Sequence, residues 1–188
     1  TTDQTAKTTV YYTPFVHNVI NLWDGANWAP TEFTETSLAL GTLTSARPYD
    51  VFAYLSGGAL TLELLAWTND TTRATAVTIQ DGRYCKSGDK TRLLLGTFYT
   101  TSTTTTEDSQ KHRYLSNVYN KVGRRCFVSV AGETTTSGTL NEIDNAGADT
   151  DPRISLVAAL TEGFNYGGTV AALSTVAADI ARFTAYQN

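Results

Sequence analysis

The stretch YDVFAYLSGGALTLELLAWTNDTTRATAVTIQDGRYCKSGDKTRLLLGTFYT, residues 49–100, decides the fold. Val51, Ala53 and Leu55 alternate with Phe52 and Tyr54. Gly57-Gly58 breaks the run, and Leu60, Leu62, Leu64 and Ala66 then alternate with Thr61, Glu63, Leu65 and Trp67. Successive side chains of a strand point to opposite faces, so this alternation is a strand signal. A Gly pair between two such runs supplies the positive φ angles of a tight hairpin turn. Asp81-Gly82 separates a second pair of runs, 75–80 and 83–86. After the turn residues Ser87-Gly88-Asp89 comes a third run, 92–100. The expectation is a β-meander over 49–100, to which the rest of the chain is added.

Upstream, residues 1–9 are polar and Thr-rich, and a flexible N-terminal arm is expected there. The remainder, 10–188, is expected to be a single β domain. Pro14 restricts the run 10–15 to an edge or a bend. Val16, Ile20 and Leu22 are expected on one face, and Asp24-Gly25 reads as the turn leading to a strand over 28–33. Within 34–48, Gly41 and Pro48 argue against a long helix, leaving strand or loop.

Downstream, TSTTTTEDS, residues 101–109, reads as a mobile polar loop. In 110–122, Leu115, Val118, Tyr119 and Val122 have helical spacing, but β-branched and aromatic residues favour strand. Strands are expected at 126–130 and 154–160, separated by the polar region 133–151. Over 169–188, Val170, Leu173, Val176, Ile180 and Phe183 fit an amphipathic helix, while the alternation of 179–187 fits strands. The expected fold class is mainly β: an antiparallel β-sandwich or jelly-roll-like domain, with a short C-terminal helix left open.

The chain has 188 residues, 41% hydrophobic and only 17% charged, below the ~25% charged content typical of soluble domains. Thr is the commonest residue, and its stiff, branched side chain suits strands. A net charge of −4 argues against a nucleic-acid binder, which needs a basic face. No apolar run reaches ~18 residues, so no membrane-spanning helix is expected. The N-terminal segment lacks the apolar core of a signal peptide. With Thr1 following a removed initiator Met, the expectation is a complete small protein made in the cytoplasm. Two cysteines, Cys85 and Cys126, are too few for a disulfide scaffold. Free, partly buried thiols are expected, with a single bridge left open.

Catalytic signals are sparse. The chain contains no GxSxG, HExxH, Walker or GxGxxG pattern, and its two histidines, His17 and His112, have no spaced partner. Asp144, Asp149 and Asp151 do not follow EF-hand spacing and read as an acidic loop. Glu107-Asp108 could be half of a glycosidase pair, but nothing supplies the other half. Asn69-Asp70-Thr71 matches the glycosylation pattern and is read as a turn. No catalytic, cofactor-binding or metal-ligating residue is assigned. Lys121, Arg124 and Arg125 form the only basic cluster. Trp67 is expected in the core and Trp28 on the surface, where aromatics serve interfaces or sugars. The candidate partner contacts are Trp28, Thr103, Thr104, Thr105, Arg124 and Arg125.

Four blocks then form a pattern: TVYYTPFVHNVINLWDG, YDVFAYLSGGALTLELLAWTNDTTRATAV, QDGRYCKSGDKTRLLLGTFYTT and EDSQKHRYLSNVYNKVGRR. Together, over roughly residues 9–125, they resemble a domain of small virion structural proteins of tailed bacteriophages, of head-decoration or fibre type. The resemblance implies a non-enzymatic capsid decoration or cement protein, frequently trimeric. Its partners would be the major capsid protein or other virion proteins, with neither nucleic acid nor membrane. It would lie on the outer surface of the head or in a fibre, after synthesis in the host cytoplasm. A fibre module that binds a host-surface glycan or receptor is the alternative. No site residues are carried over from the resemblance.

Overall fold

The computed structural model describes residues 2–120 and 155–160. The expectations for Cys126, Lys121, Arg124, Arg125, Asp144, Asp149 and Asp151, and for 126–130, 133–151 and 169–188, lie outside the described residues. Among the described residues fourteen strands follow in order: β1 (Gln4–Lys7), β2 (Thr9–Tyr12), β3 (Val19–Trp23), β4 (Trp28–Glu32), β5 (Thr36–Ala39), β6 (Pro48–Ser56) and β7 (Ala59–Ala66). Then come β8 (Val77–Gln80), β9 (Arg83–Lys86), β10 (Asp89–Tyr99), β11 (Thr106–Asp108), β12 (His112–Arg113), β13 (Leu115–Asn117) and β14 (Ser155–Leu156). The protein is mainly β, and among the described residues there is no helix.

The main sheet runs β7-β6-β10-β9-β8, with β13 continuing the line of β9 along β10. Its hairpins sit where the turn residues demand. Ser56 pairs with Ala59 across Gly57-Gly58, and Gln80 pairs with Arg83 across Asp81-Gly82. All four turn residues have positive φ, which glycine adopts without the Cβ clash that Asp81 accepts once. Two ribbons, β2–β5 and β3–β4, form separate antiparallel pairs. A further sheet, β1-β11-β12-β14, is antiparallel except for β12–β14.

One face of the main sheet carries Tyr49, Val51, Ala53, Leu60, Leu62, Cys85, Leu93, Leu95 and Phe98, and the two ribbons cover it with Val10, Ile20 and Leu22. The result is a sandwich-like stack. The other face carries Phe52 and Leu94, covered by Val118 and Ala159. Leu93 and Leu94 keep strict alternation, pairing with Ala53 and Phe52, but Gly96 pairs with Val51. Leu95 is therefore the extra residue of a β-bulge, and it shifts the parity so that Phe98 returns to the first face and stacks on Tyr49. Gly96 is required there, because a Cβ would collide with the backbone carbonyl oxygen of Ser116 in β13. Burial of Phe52, Leu94 or Phe98 contributes about 1.5–3 kcal/mol each.

Several local expectations are corrected. The arm expected to be free contains β1, which pairs with β11, because even a polar strand satisfies its backbone at an open sheet edge. The loop expected over 101–109 narrows to 101–105, since Thr106–Asp108 is β11. Val16 does not share the face of Ile20 and Leu22; it precedes β3 and is 72% exposed. The run 154–160 contributes only a two-residue strand, with Leu156 exposed and Ala159 buried. Cys85 is a free, buried thiol, pushed up to about 11 by burial, so it is a poor nucleophile.

Candidate functional site

Trp28 was expected on the surface, yet it is half-buried in a cluster between the β3–β4 hairpin and the β8–β9 turn. Trp23 and Trp28 are direct cross-strand partners with ring centroids 5.6 Å apart, edge to face. The hairpin turn is held by Asp24, whose carboxylate accepts from the Ala26 and Asn27 amides at 2.7 Å each. Those bonds hold its carboxyl below the ordinary value, the Asn27 bond most. Trp28 Nε1 donates to Asp81 Oδ2 at 3.1 Å, and Lys90 Nζ donates to the same oxygen at 2.7 Å. Arg83 lies 4.6 Å over the Trp28 ring and Lys90 4.8 Å over the Trp23 ring. One face of each ring on which a sugar could stack thus carries a cation. This arrangement clasps the ribbon to the main sheet.

Trp67, expected in the core, is also half-buried, with Arg73 4.3 Å over its ring. Arg73 Nε donates to Asp50 Oδ2 at 2.7 Å and Nη2 to Asp50 Oδ1 at 3.2 Å. Thr97 Oγ1 donates to Asp50 Oδ1 at 2.6 Å, and Arg73 Nη2 also donates to the Ala159 carbonyl. Asp50 is 1% exposed, so this fork satisfies a buried charge and ties four separate segments together.

Thr103, Thr104 and Thr105 lie in a tight turn. The Thr101 and Ser102 amides donate to the Thr105 carbonyl, and the Leu43 amide donates to the Thr103 carbonyl at 2.7 Å. Thr103 and Thr104 remain exposed, while Thr105 is half-buried and its hydroxyl bonds those of Thr101 and Ser102. Glu107 and Asp108 are adjacent in β11, so their side chains point to opposite faces and do not flank one substrate bond. Glu107 Oε1 accepts from Ser109 Oγ at 2.8 Å and meets His112 Nδ1 at 2.7 Å. A serine nucleophile needs its hydroxyl on the imidazole. Here serine and histidine share one carboxylate oxygen, and Ser109 is buried. The trio closes the β11–β12 hairpin. Among the described residues no three His, Cys, Asp or Glu side chains group to hold a metal.

The remaining features are surfaces. Phe15 is 76% exposed beside Val16, on the loop between β2 and β3. Tyr11, also exposed, lines a groove of about 370 Å³ with Lys7, Thr106, Glu107 and Leu115. Ile79 is exposed on β8, the outer strand of the main sheet. Sequence reasoning did not single out Phe15 and Ile79 as exposed apolar side chains, although the uncharged VTIQ run beside Asp81-Gly82 is a readable signal. No helix of the described residues is long and apolar enough to cross a membrane. No family model, curated protein or solved structure matches this chain.

Proposed function

We propose that this chain is a non-enzymatic structural protein of a tailed-bacteriophage particle, a decoration or cement protein seated on the outer head surface. The four ordered sequence blocks suggest the class, and the exposed Phe15–Val16 pair is the observation that carries the docking role. Two adjacent large apolar side chains in water on a charge-poor surface favour burial against a partner. The partner in this reading is the major capsid protein, and the copies on the head form trimers. A ligand that binds only the assembled shell stabilises that shell by mass action. The glycan-binding fibre alternative draws less support, because Trp28 is already engaged by Trp23, Asp81 and Arg83.

Immunogold labelling of intact particles tests the reading. Regular label over the head is expected, and replacing both residues (Phe15→Ser with Val16→Ser) removes it while the purified protein keeps its unfolding curve. Label confined to the tail or fibre tips, or absent from all particles, overturns it.

A further inference from the structure

We infer that the edge of β8 left open by the other described strands pairs with the β8 edge of a second copy, antiparallel and centred on Thr78. Hydrogen bonds in an antiparallel pair alternate along the strands. The two-residue Asp81-Gly82 turn makes Gln80 and Arg83 a hydrogen-bonded pair, and the Ser87 amide donating to the Ala76 carbonyl at 2.8 Å keeps the same phase. Ala76, Thr78 and Gln80 thus turn their backbone toward β9. Val77 and Ile79 turn their N–H and C=O groups outward, where β8 has no other strand among the described residues.

Sheet edges are commonly blunted by charge, proline or a bulge. The residues of β8, Val77, Thr78, Ile79 and Gln80, include none of these, and their pairing with β9 is regular. Ile79 is 63% exposed.

The edge is complementary to itself. With Thr78 opposite Thr78 of the second copy, Val77 of each copy faces Ile79 of the other in a hydrogen-bonded pair. Each such pair exchanges two bonds, so four backbone hydrogen bonds form. Val77 and Ile79 lie on the sheet face that carries Phe52 and Leu94, so each Ile79 gains an apolar neighbour. On the opposite face the two Thr78 hydroxyls meet, a favourable cross-strand pair. Asp81 of one copy falls opposite Thr75 of the other, so no like charges oppose. The contact is only four residues long, and the association is concentration-dependent. It is a two-fold contact, independent of where the protein sits on a particle and additional to any three-fold contact.

Sedimentation of the purified chain over a concentration series tests this. An even number of copies is expected, halved by Ile79→Lys, which replaces an exposed side chain. A cross-link supplies the second reading. Thr78→Cys places two thiols in a non-hydrogen-bonded pair with Cα atoms about 4.5 Å apart, within disulfide range. It is made with Cys85→Ala and Cys126→Ser, because Cys85 is the cross-strand neighbour of Thr78 within one chain. A covalent dimer on mild oxidation, lost when Ile79→Lys is added, is expected. A monomer, an odd copy number, a mass unchanged by Ile79→Lys, or no cross-link overturns the inference.

Discussion

Asp50 and Asp81 each hold a basic side chain that lies over a tryptophan ring, and each joins an outlying segment to the main sheet. Asp50 holds Arg73 over Trp67; Asp81 holds Lys90 over Trp23 and takes the indole N–H of Trp28. The partners are alike and the surroundings are not. The Asp50 side chain is 1% exposed and that of Asp81 47%. In the first cluster the charge cannot fall back on water if its partner is removed. In the second, water replaces either partner at little cost. Burial rather than the number of contacts separates a structural keystone from a surface clasp.

The largest expected effect follows from the buried cluster. Asp50→Ala leaves Arg73 with its charge uncompensated, and Thr97 loses its acceptor. Breaking a buried pair costs about 3–5 kcal/mol, and the low end, ~3 kcal/mol, applies because Arg73 keeps 19% of its side chain exposed. Urea unfolding measures this. A loss below about 1 kcal/mol would show that the fork scarcely exceeds its own desolvation cost, and the contrast with Asp81 would collapse.

Trp28→Ala comes next. Full removal of a buried Trp or Phe costs about 3–5 kcal/mol. Trp28 is half-buried, and its ring contacts with Trp23 and Arg83 add modest terms. A loss of about 2 kcal/mol by the same measurement is expected. A loss matching that of Asp50→Ala would make the clasp an equal partner in stability and place its weight on the aromatic rings rather than on Asp81.

The hairpins of both clusters were legible in the sequence, because Gly57-Gly58, Asp24-Gly25 and Asp81-Gly82 carry their turn geometry locally. The alternation around them gave the main sheet, while the free, partly buried thiol expected at Cys85 rested on the low cysteine count and on the tendency of free cysteine to pack as a small hydrophobe. The environment of Trp28 was not legible. Its partner Asp81 lies 53 residues away, and in the sequence Asp81 is simply the first residue of a turn. The strand β1 was hidden for a related reason. Gln4–Lys7 has no apolar residue except Ala6, so its pairing with β11 rests on backbone hydrogen bonds, to which hydrophobic periodicity is blind. The Thr-rich turn at 101–105 looked mobile because its restraints are hydroxyl and amide bonds among like residues. The bulge at Leu95 likewise leaves three leucines in a row with no sign of which one is extra.

The smallest expected effect is a titration of the clasp. Hydrogen bonds from Lys90 and then Trp28 hold the Asp81 carboxyl below its ordinary value of 3.8. A folded value below the unfolded one means that the ionised group favours the folded state. That contribution is complete above the unfolded value and is lost as pH falls through the folded one. The readout is tryptophan fluorescence in a Trp67→Phe variant, which leaves only Trp23 and Trp28 emitting. Their emission is expected to change with a midpoint below 3.8, while far-ultraviolet circular dichroism stays constant over the same range. Lys90→Ala removes the largest cause and moves the midpoint up toward 3.8, and added salt moves it the same way because the Lys90–Asp81 pair stands in screening solvent. Neither change shifts the urea midpoint beyond its scatter. A fluorescence midpoint indifferent to both Lys90→Ala and salt would detach Asp81 from the clasp and leave the two ring contacts to hold the ribbon by themselves.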